Sequence, residues 1–400
     1  MRNDDIYRFE VLNALENDRE LDFKKSTDAK YFREGVCPSC GKKTAYIATA
    51  KPFQIACNRL DKCGFTQSTR ERYSYLFENL SERFPRTPDN SNATADAYLQ
   101  RNRGFDITKL QGWYTQARRK LKHEQYADTV RFTLCDGYWE RIIDAKAVAA
   151  NEGDKAGIKY GMSYKGKGWM PPNQVINRTD RVYIVEGIFH AIALHLAGYK
   201  VVASISANNF PWEVVEAHRG MLVTWALALD DDKAGRGMMT KYRSRLREMR
   251  ELTVVALAGE RDWDDVYRDG ELNDAFMEEA CYQGQLFSAR NTDKLAYLLY
   301  LRRPSPFFLM DFGSQLYSAQ VNQAELTKDL GDEKVDGNRE IFSKHTKIKR
   351  VTERYRTCPA PLSPTGNALP PAALRSTAGT STPRICATSP SNTARPTTPR

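Results

Sequence analysis

The chain reads as an α/β, α+β multidomain protein with a parallel sheet at its centre, and three features carry that reading. Between Val182 and Asp265, three short apolar runs each end in carboxylates. Val182–Val185 precedes Glu186-Gly187, Leu222–Leu229 precedes Asp230-Asp231-Asp232, and Leu252–Ala258 precedes Asp262-Trp263-Asp264-Asp265. Near the N-terminus, four cysteines come as two close pairs, Cys37/Cys40 and Cys57/Cys63. From about Thr357 onward the composition turns to Pro, Ser, Thr and Ala without a single acid.

Short, bounded apolar runs separated by helical stretches read as buried parallel strands. The helical stretches here are Ile188 to Gly198 and Ala234 to Glu251. An open α/β sheet binds ligands at the carboxyl ends of its strands. Glu186, Asp230, Asp232, Asp262 and Asp264 are therefore expected to gather along one edge. Like charges in one site raise one another's pKa, so such a cluster calls for cations. Hard oxygen donors suit Mg²⁺ or Mn²⁺, which are bound through one or two carboxylates together with substrate phosphates. The chemistry expected of this edge is phosphoryl transfer.

The same residues carry a family resemblance. Glu186-Gly187 at a strand end, Asp230-x-Asp232 followed by Lys233-Ala234-Gly235-Arg236, and then Asp262-Trp263-Asp264 resemble the Toprim fold. The likeness spans roughly Arg181 to Gly270. Toprim domains serve DnaG-type primases, type IA topoisomerases and some nucleases. The resemblance implies a Rossmann-like parallel sheet, Glu186 as general base or acid, and Asp230, Asp232, Asp262 and Asp264 as Mg²⁺ ligands. Glu186, Asp230 and Asp232 are the catalytic residues it implies. Many primases of this kind carry an aspartate four residues after the glutamate; this chain has His190.

A net charge of +10 and a pI near 9.1 suit a partner made of phosphates. No run of 18 apolar residues appears, so no membrane span is expected, and Met1 to Asp5 lack a secretory apolar region. A cytoplasmic location follows as an expectation. In a cytosolic chain of this size, eight cysteines do not suggest a disulfide scaffold.

In the N-terminal module, Ile6, Phe9, Leu12 and Leu15 have the spacing of one helix face. Cys37-x₂-Cys40 and Cys57-x₅-Cys63 lie sixteen residues apart, with strand-like Ala45–Thr49 and Phe53–Ala56 between them. Four thiolates so paired suit one tetrahedral Zn²⁺, and a glycine after each pair permits the tight turn. A module this small needs the metal for its stability. Lys42, Lys43, Lys51, Arg59 and Lys62 lie among Tyr46, Phe53 and Phe65, the mixture of cations and rings that binds single strands.

Pro85 to Ala95 reads as a polar linker, and Ala93 to Arg103 as a helix ended by Gly104. Thr129–Leu134 and Tyr138–Ile143 read as strands paired around Asp136-Gly137. The segment Lys155 to Trp169 is rich in Gly and Lys. It resembles the basic subdomain that precedes Toprim in primases, where such residues line the template and nucleotide path. Arg141, Lys159, Lys165 and Lys167 are the positions so implied, although a solvated surface loop accounts for the same lysines. Residues 271–330 read as helices, and Phe307, Phe308, Phe312 and Tyr317 suggest a strand-rich piece. Nine of the 18 prolines fall in the last 44 residues, which are expected to be disordered. The abrupt change there suggests a frame change or a truncated gene.

The chain thus divides into a helix and zinc ribbon over 1–84, a linker over 85–95 and a basic subdomain over 96–180. A Toprim domain over 181–275, a segment of unassigned role over 276–356 and a disordered tail over 357–400 complete it. A zinc ribbon followed by Toprim implies a DNA primase, a nucleotidyltransferase of phage or mobile-element type. It would join ribonucleoside triphosphates on a single-stranded DNA template, in company with a replicative helicase. Two other readings stay open: a Toprim nuclease using the same metals, and a non-catalytic nucleic-acid-binding remnant.

Overall fold

The computed structural model describes residues 3–25, 30–50 and 52–351. The tail over 357–400, expected to be disordered, and Lys51 lie outside these residues. No helix among them is long and apolar enough to cross a membrane.

The central layer is a four-stranded sheet in the order Lys200–Ala203, Arg181–Val185, Thr224–Leu227, Leu252–Val255. Every pairing is parallel, with Val182 opposite both Lys200 and Trp225. Val182, Ile184, Val201, Val202, Ala226 and Leu227 are fully buried, as strands covered on both faces require. Helices cover it on both sides, among them Ile188–Leu196 on one and Lys233–Glu248, whose Met239, Tyr242 and Leu246 are buried in the core, on the other. The Lys200–Ala203 edge strand is the one element the apolar-run argument did not anticipate. Its four residues are too few to stand out as a run. It puts the Glu186 strand in the interior of the sheet, where the connections leave in opposite directions. That switch point is where open α/β sheets hold their ligands.

The middle segment is an antiparallel sheet of Tyr114–Lys120, Tyr126–Leu134, Gly137–Ile142 and Ala156–Ile158. Leu134 pairs with Gly137, so the hairpin turn is Cys135-Asp136, one residue earlier than the Asp-Gly signal suggests. Gly137 is needed for another reason: a Cβ there would meet the Lys159 side chain at 2.8 Å. This sheet shares its core with the central layer, Val130, Phe132 and Leu134 packing in one cluster with Val185, Phe189 and Trp263. Pro85 to Ala95 is pinned rather than free. Arg86 donates to the Ser91 and Gln116 carbonyls, and the Gln116 side chain accepts from the Thr94 and Ala95 amides.

The N-terminal module is a five-stranded antiparallel sheet, built mainly from Tyr31–Val36, Lys43–Ala48 and Gln54–Cys57, under the helix Asn3–Glu16. Val11 and Leu15, one turn apart, enter its core, whereas Phe9 is turned to solvent. Leu12 packs against that core as its spacing suggested, so of the expected face Phe9 is the residue that departs. Helices Asp274–Phe287 and Thr292–Arg302 lead into an antiparallel sheet of Phe307–Phe312, Gln315–Val321 and Thr346–Arg350, with a core of its own.

Candidate functional site

The strand Arg181–Val185 delivers Glu186 at its carboxyl end, and Gly187 then opens the helix that carries His190 on its first turn. The strand Thr224–Leu227 runs on through buried Ala228 and Leu229 to Asp230. Asp232 caps the next helix, its carboxylate accepting from the Gly235 amide at 2.7 Å. Gly235 is required by close approach, because a Cβ there would lie 2.1 Å from the Asp230 carbonyl oxygen. A third turn carries Asp262 to Asp265. It is anchored by buried Trp263, whose indole donates to the Ala228 carbonyl at 2.8 Å. Three separate crossovers thus bring their acids to one sheet edge.

His190 stands in the middle of them. Its Nδ1 lies 3.4 Å from Asp230, and its Nε2 lies 3.3 Å from Asp264 and 3.9 Å from Asp262. Burial pushes the imidazole toward neutrality, but Asp264, Asp230 and Asp262 outweigh it and raise its pKa to about 9. The carboxyls of Glu186 and Asp230 are both pushed upward, first by burial and then by neighbouring acids, Asp230 acting on Glu186 and Asp262 on Asp230. Asp262 and Asp232 are exposed.

Asp264 is placed differently from the other acids. Only 1% exposed, it gives one oxygen to the Arg103 guanidinium at 2.6 Å and turns the other toward His190. Burial would raise its pKa, but His190 and Arg103 together hold it well below the usual carboxylate range. Arg103 also donates to the Tyr98 hydroxyl and lies 4.3 Å from the centre of the Phe189 ring. Tyr98 is buried, which disfavours its ionised form, yet the charges of Arg103 and Arg141 lower its pKa. Arg141 is thus within electrostatic reach of the acidic edge. Asp231 pairs with Arg236. Arg103, Tyr98 and the central position of His190 escaped the sequence argument. Nothing local marks Arg103 as the partner of an acid 161 residues away.

The basic loop reaches the same edge. The Asn209 side chain accepts from the Gly166 amide and donates to the Lys167 and Ser204 carbonyls, all at 2.7–2.8 Å. Ala207, two residues earlier, gives a backbone hydrogen bond to Glu186. One short loop therefore holds both the glutamate and the lysine segment. Lys165 is exposed, Lys167 is half-buried, and Lys159 donates to the Asp136 carbonyl at 3.3 Å. Tyr160 beside it is fully exposed.

Which groups could hold metals follows from the donors. Carboxylate oxygens of Asp230 and Asp262 lie within 4.8 Å of one another, with a ring nitrogen of His190 equally close. The Sγ atoms of Cys37, Cys40, Cys57 and Cys63 also lie within 4.8 Å of one another. Those of Cys37 and Cys63 are 3.7 Å apart, close to the ~3.8 Å edge of a tetrahedron with ~2.3 Å metal–sulfur bonds. Gly41 and Gly64, after each pair, adopt φ of 65° and 60°, the left-handed turn that glycine permits. Backbone hydrogen bonding at Lys42 helps lower the Cys40 thiol to about 6, favouring the thiolate that metals bind. Lys42 and Lys43 are exposed on this module and Arg59 is half-buried, Lys43 lying 3.4 Å from Asp22.

Comparison with known proteins places this edge in a family. Residues 183–267 match the Toprim-like family model, so the parallel sheet and its acidic edge form a Toprim-like segment. Among curated proteins, none matches the sequence. The zinc-binding and RNA polymerase domains of the Aquifex aeolicus primase align at 14% identity, covering 76% of this chain and 98% of theirs, with a TM-score of 0.31. A DNA primase domain from Pseudomonas aeruginosa aligns at 19% identity over 56% of this chain and 72% of its own, also at a TM-score of 0.31. The RNA polymerase domain of the Mycobacterium tuberculosis primase DnaG, in complex with double-stranded DNA, aligns at 16% identity. That match covers 56% of this chain and 78% of the other, with a TM-score of 0.30.

Proposed function

We propose that the protein is a DNA primase, which joins ribonucleoside triphosphates on a single-stranded DNA template. The observation that carries this reading is the convergence of Glu186, Asp230 and Asp262 at a Toprim-like edge to which Asn209 also ties the Lys165–Lys167 loop. Acids that can hold a cation and bases that can meet phosphates share one border.

Asp230, Asp232 and Asp262 would hold Mg²⁺ or Mn²⁺, which when bound offsets charge on a triphosphate and lowers the pKa of a hydroxyl. Glu186, its pKa raised by burial and by Asp230, is suited to taking a proton from the attacking 3′-hydroxyl. Asp264, committed to Arg103, keeps His190 and the third acidic turn in place. Lys159, Lys165, Lys167 and Arg141 would meet template and nucleotide phosphates, and exposed Tyr160 offers a ring on which a base can stack. The four cysteines would hold one Zn²⁺, leaving Lys42, Lys43 and Arg59 on the module's surface for the template.

Incubation with a random single-stranded template, labelled ribonucleoside triphosphates and Mg²⁺ or Mn²⁺ tests this. Short labelled RNA is expected. Degraded template would identify a nuclease instead, and binding without product a non-catalytic role.

A further inference from the structure

A small cavity of about 180 Å³ lies away from the acidic edge, between the later turns of Lys233–Glu248 and the end of Asp274–Phe287. Its walls include Arg243, Arg247, Arg290, Ser288, Thr240 and Phe287. Three arginines line it, and no Asp or Glu does. Arg243 is eleven residues beyond Asp232, about 16 Å along the helix axis, so the cavity is separate from the metal edge.

Its polar groups are incompletely satisfied. Arg243 donates through Nη1 to the Ser288 carbonyl at 3.2 Å, but its Nε is buried with no hydrogen-bond partner. The Ser288 hydroxyl is buried and unpartnered as well. Among the described residues, none of the three arginines forms an ion pair. Burial, followed by the charges of Arg247 and Arg290, lowers the pKa of Arg243 to about 10. Three like charges packed around unused donors call for an anion, and tetrahedral oxyanions match the fork of the guanidinium. The cavity is smaller than the ~300–1,000 Å³ typical of sites that enclose a whole small molecule. It has room for one phosphate group.

We propose that the Arg243–Arg247–Arg290 cavity is a phosphate-binding site, taking a phosphate of a single-stranded nucleic-acid backbone or a free phosphate. Ser288 and the Arg243 Nε supply the inner donors, and Arg247 and Arg290 close over the anion from the surface. The site does not depend on the priming reading.

The test uses the full chain and an Arg247→Ser/Arg290→Ser variant, both positions being exposed and the fold checked by circular dichroism. Inorganic phosphate is titrated by calorimetry at low ionic strength. An oligothymidylate is titrated by anisotropy across a range of salt. The parent is expected to bind phosphate at one site, and the variant roughly tenfold more weakly. Asp230→Ala is expected to bind phosphate like the parent, whatever it does to priming. A salt slope for the oligonucleotide reduced by about 0.7 per lost contact assigns the site to the nucleic-acid backbone, and an unchanged slope to free phosphate. Phosphate binding equal in parent and double variant, or absent from the parent, overturns the proposal.

Discussion

The guanidinium of Arg103 lies 2.6 Å from the carboxylate of Asp264, across 161 residues of sequence. Arg103 follows the short helical turns of the middle segment, and Asp264 lies on the third acidic turn of the Toprim-like sheet. Their pairing, with Tyr98 on one side and His190 on the other, locks the two segments together at the edge where the other acids converge.

Removing either partner is expected to strand a buried charge. Arg103→Met or Asp264→Asn should each lower stability to urea by about 3–5 kcal/mol. The double variant should cost less than the sum, since the two groups interact directly. Equal, additive losses of a few tenths of a kcal/mol would show that the contact has no energetic weight.

Primer synthesis is expected to respond differently to the other acids of the edge. Glu186→Gln, Asp230→Ala and Asp232→Ala should abolish it, since phosphoryl transfer rests on charge and positioning. Binding of single-stranded DNA should persist, or tighten slightly as repulsion of phosphates falls. Asp262→Ala should reduce synthesis less, with Asp265 close by in the same turn. His190→Asp keeps a side chain at that position and should leave activity measurable. Folded Asp230→Ala protein that primes at the parent rate would end this assignment.

One Zn²⁺ per chain is expected, held by Cys37, Cys40, Cys57 and Cys63. Cys37 and Cys57 are part of the N-terminal core, so chelation should loosen that core along with the metal site. Metal analysis of Cys57→Ser should show the zinc lost, whereas Cys135→Ser and Cys281→Ser should keep it. Undiminished zinc in Cys57→Ser would dismiss the site.

The N-terminal module should also weaken in acid. Burial disfavours the Asp18 charge, but bonds from Arg72, Tyr73 and the Leu21 amide reverse that and hold its pKa near 2. An unfolded aspartate titrates near ~3.9. The folded form is depressed, so its contribution is complete above about pH 4 and is lost as pH falls toward 2. Asp18→Asn should cost on the order of 1–3 kcal/mol at neutral pH and flatten this acid limb. An unchanged acid limb, read by urea melts between pH 5 and 2, would place the transition elsewhere.

Much of the fold could be read from local pattern. The three apolar runs became parallel strands, and the paired cysteines became one cluster of sulfurs. Both patterns are local: strand burial shows as an unbroken apolar run, and metal-binding turns as close cysteine spacing with a following glycine. Phe9 and the Cys135-Asp136 turn show the limit of local pattern. Packing partners chose the buried helix face, and strand register chose the turn residue.

By itself, then, the sequence determined at which end of which element the candidate acids stand. Only the tertiary structure decided how the acids differ. It turned Asp264 inward to Arg103, left Asp262 facing solvent, set His190 among them, and hung the Lys165–Lys167 loop on Asn209. Spacing along a chain constrains only near neighbours. A carboxylate's ionisation and availability depend on burial and on charges brought up from distant segments, and those exist only once the sheets have packed.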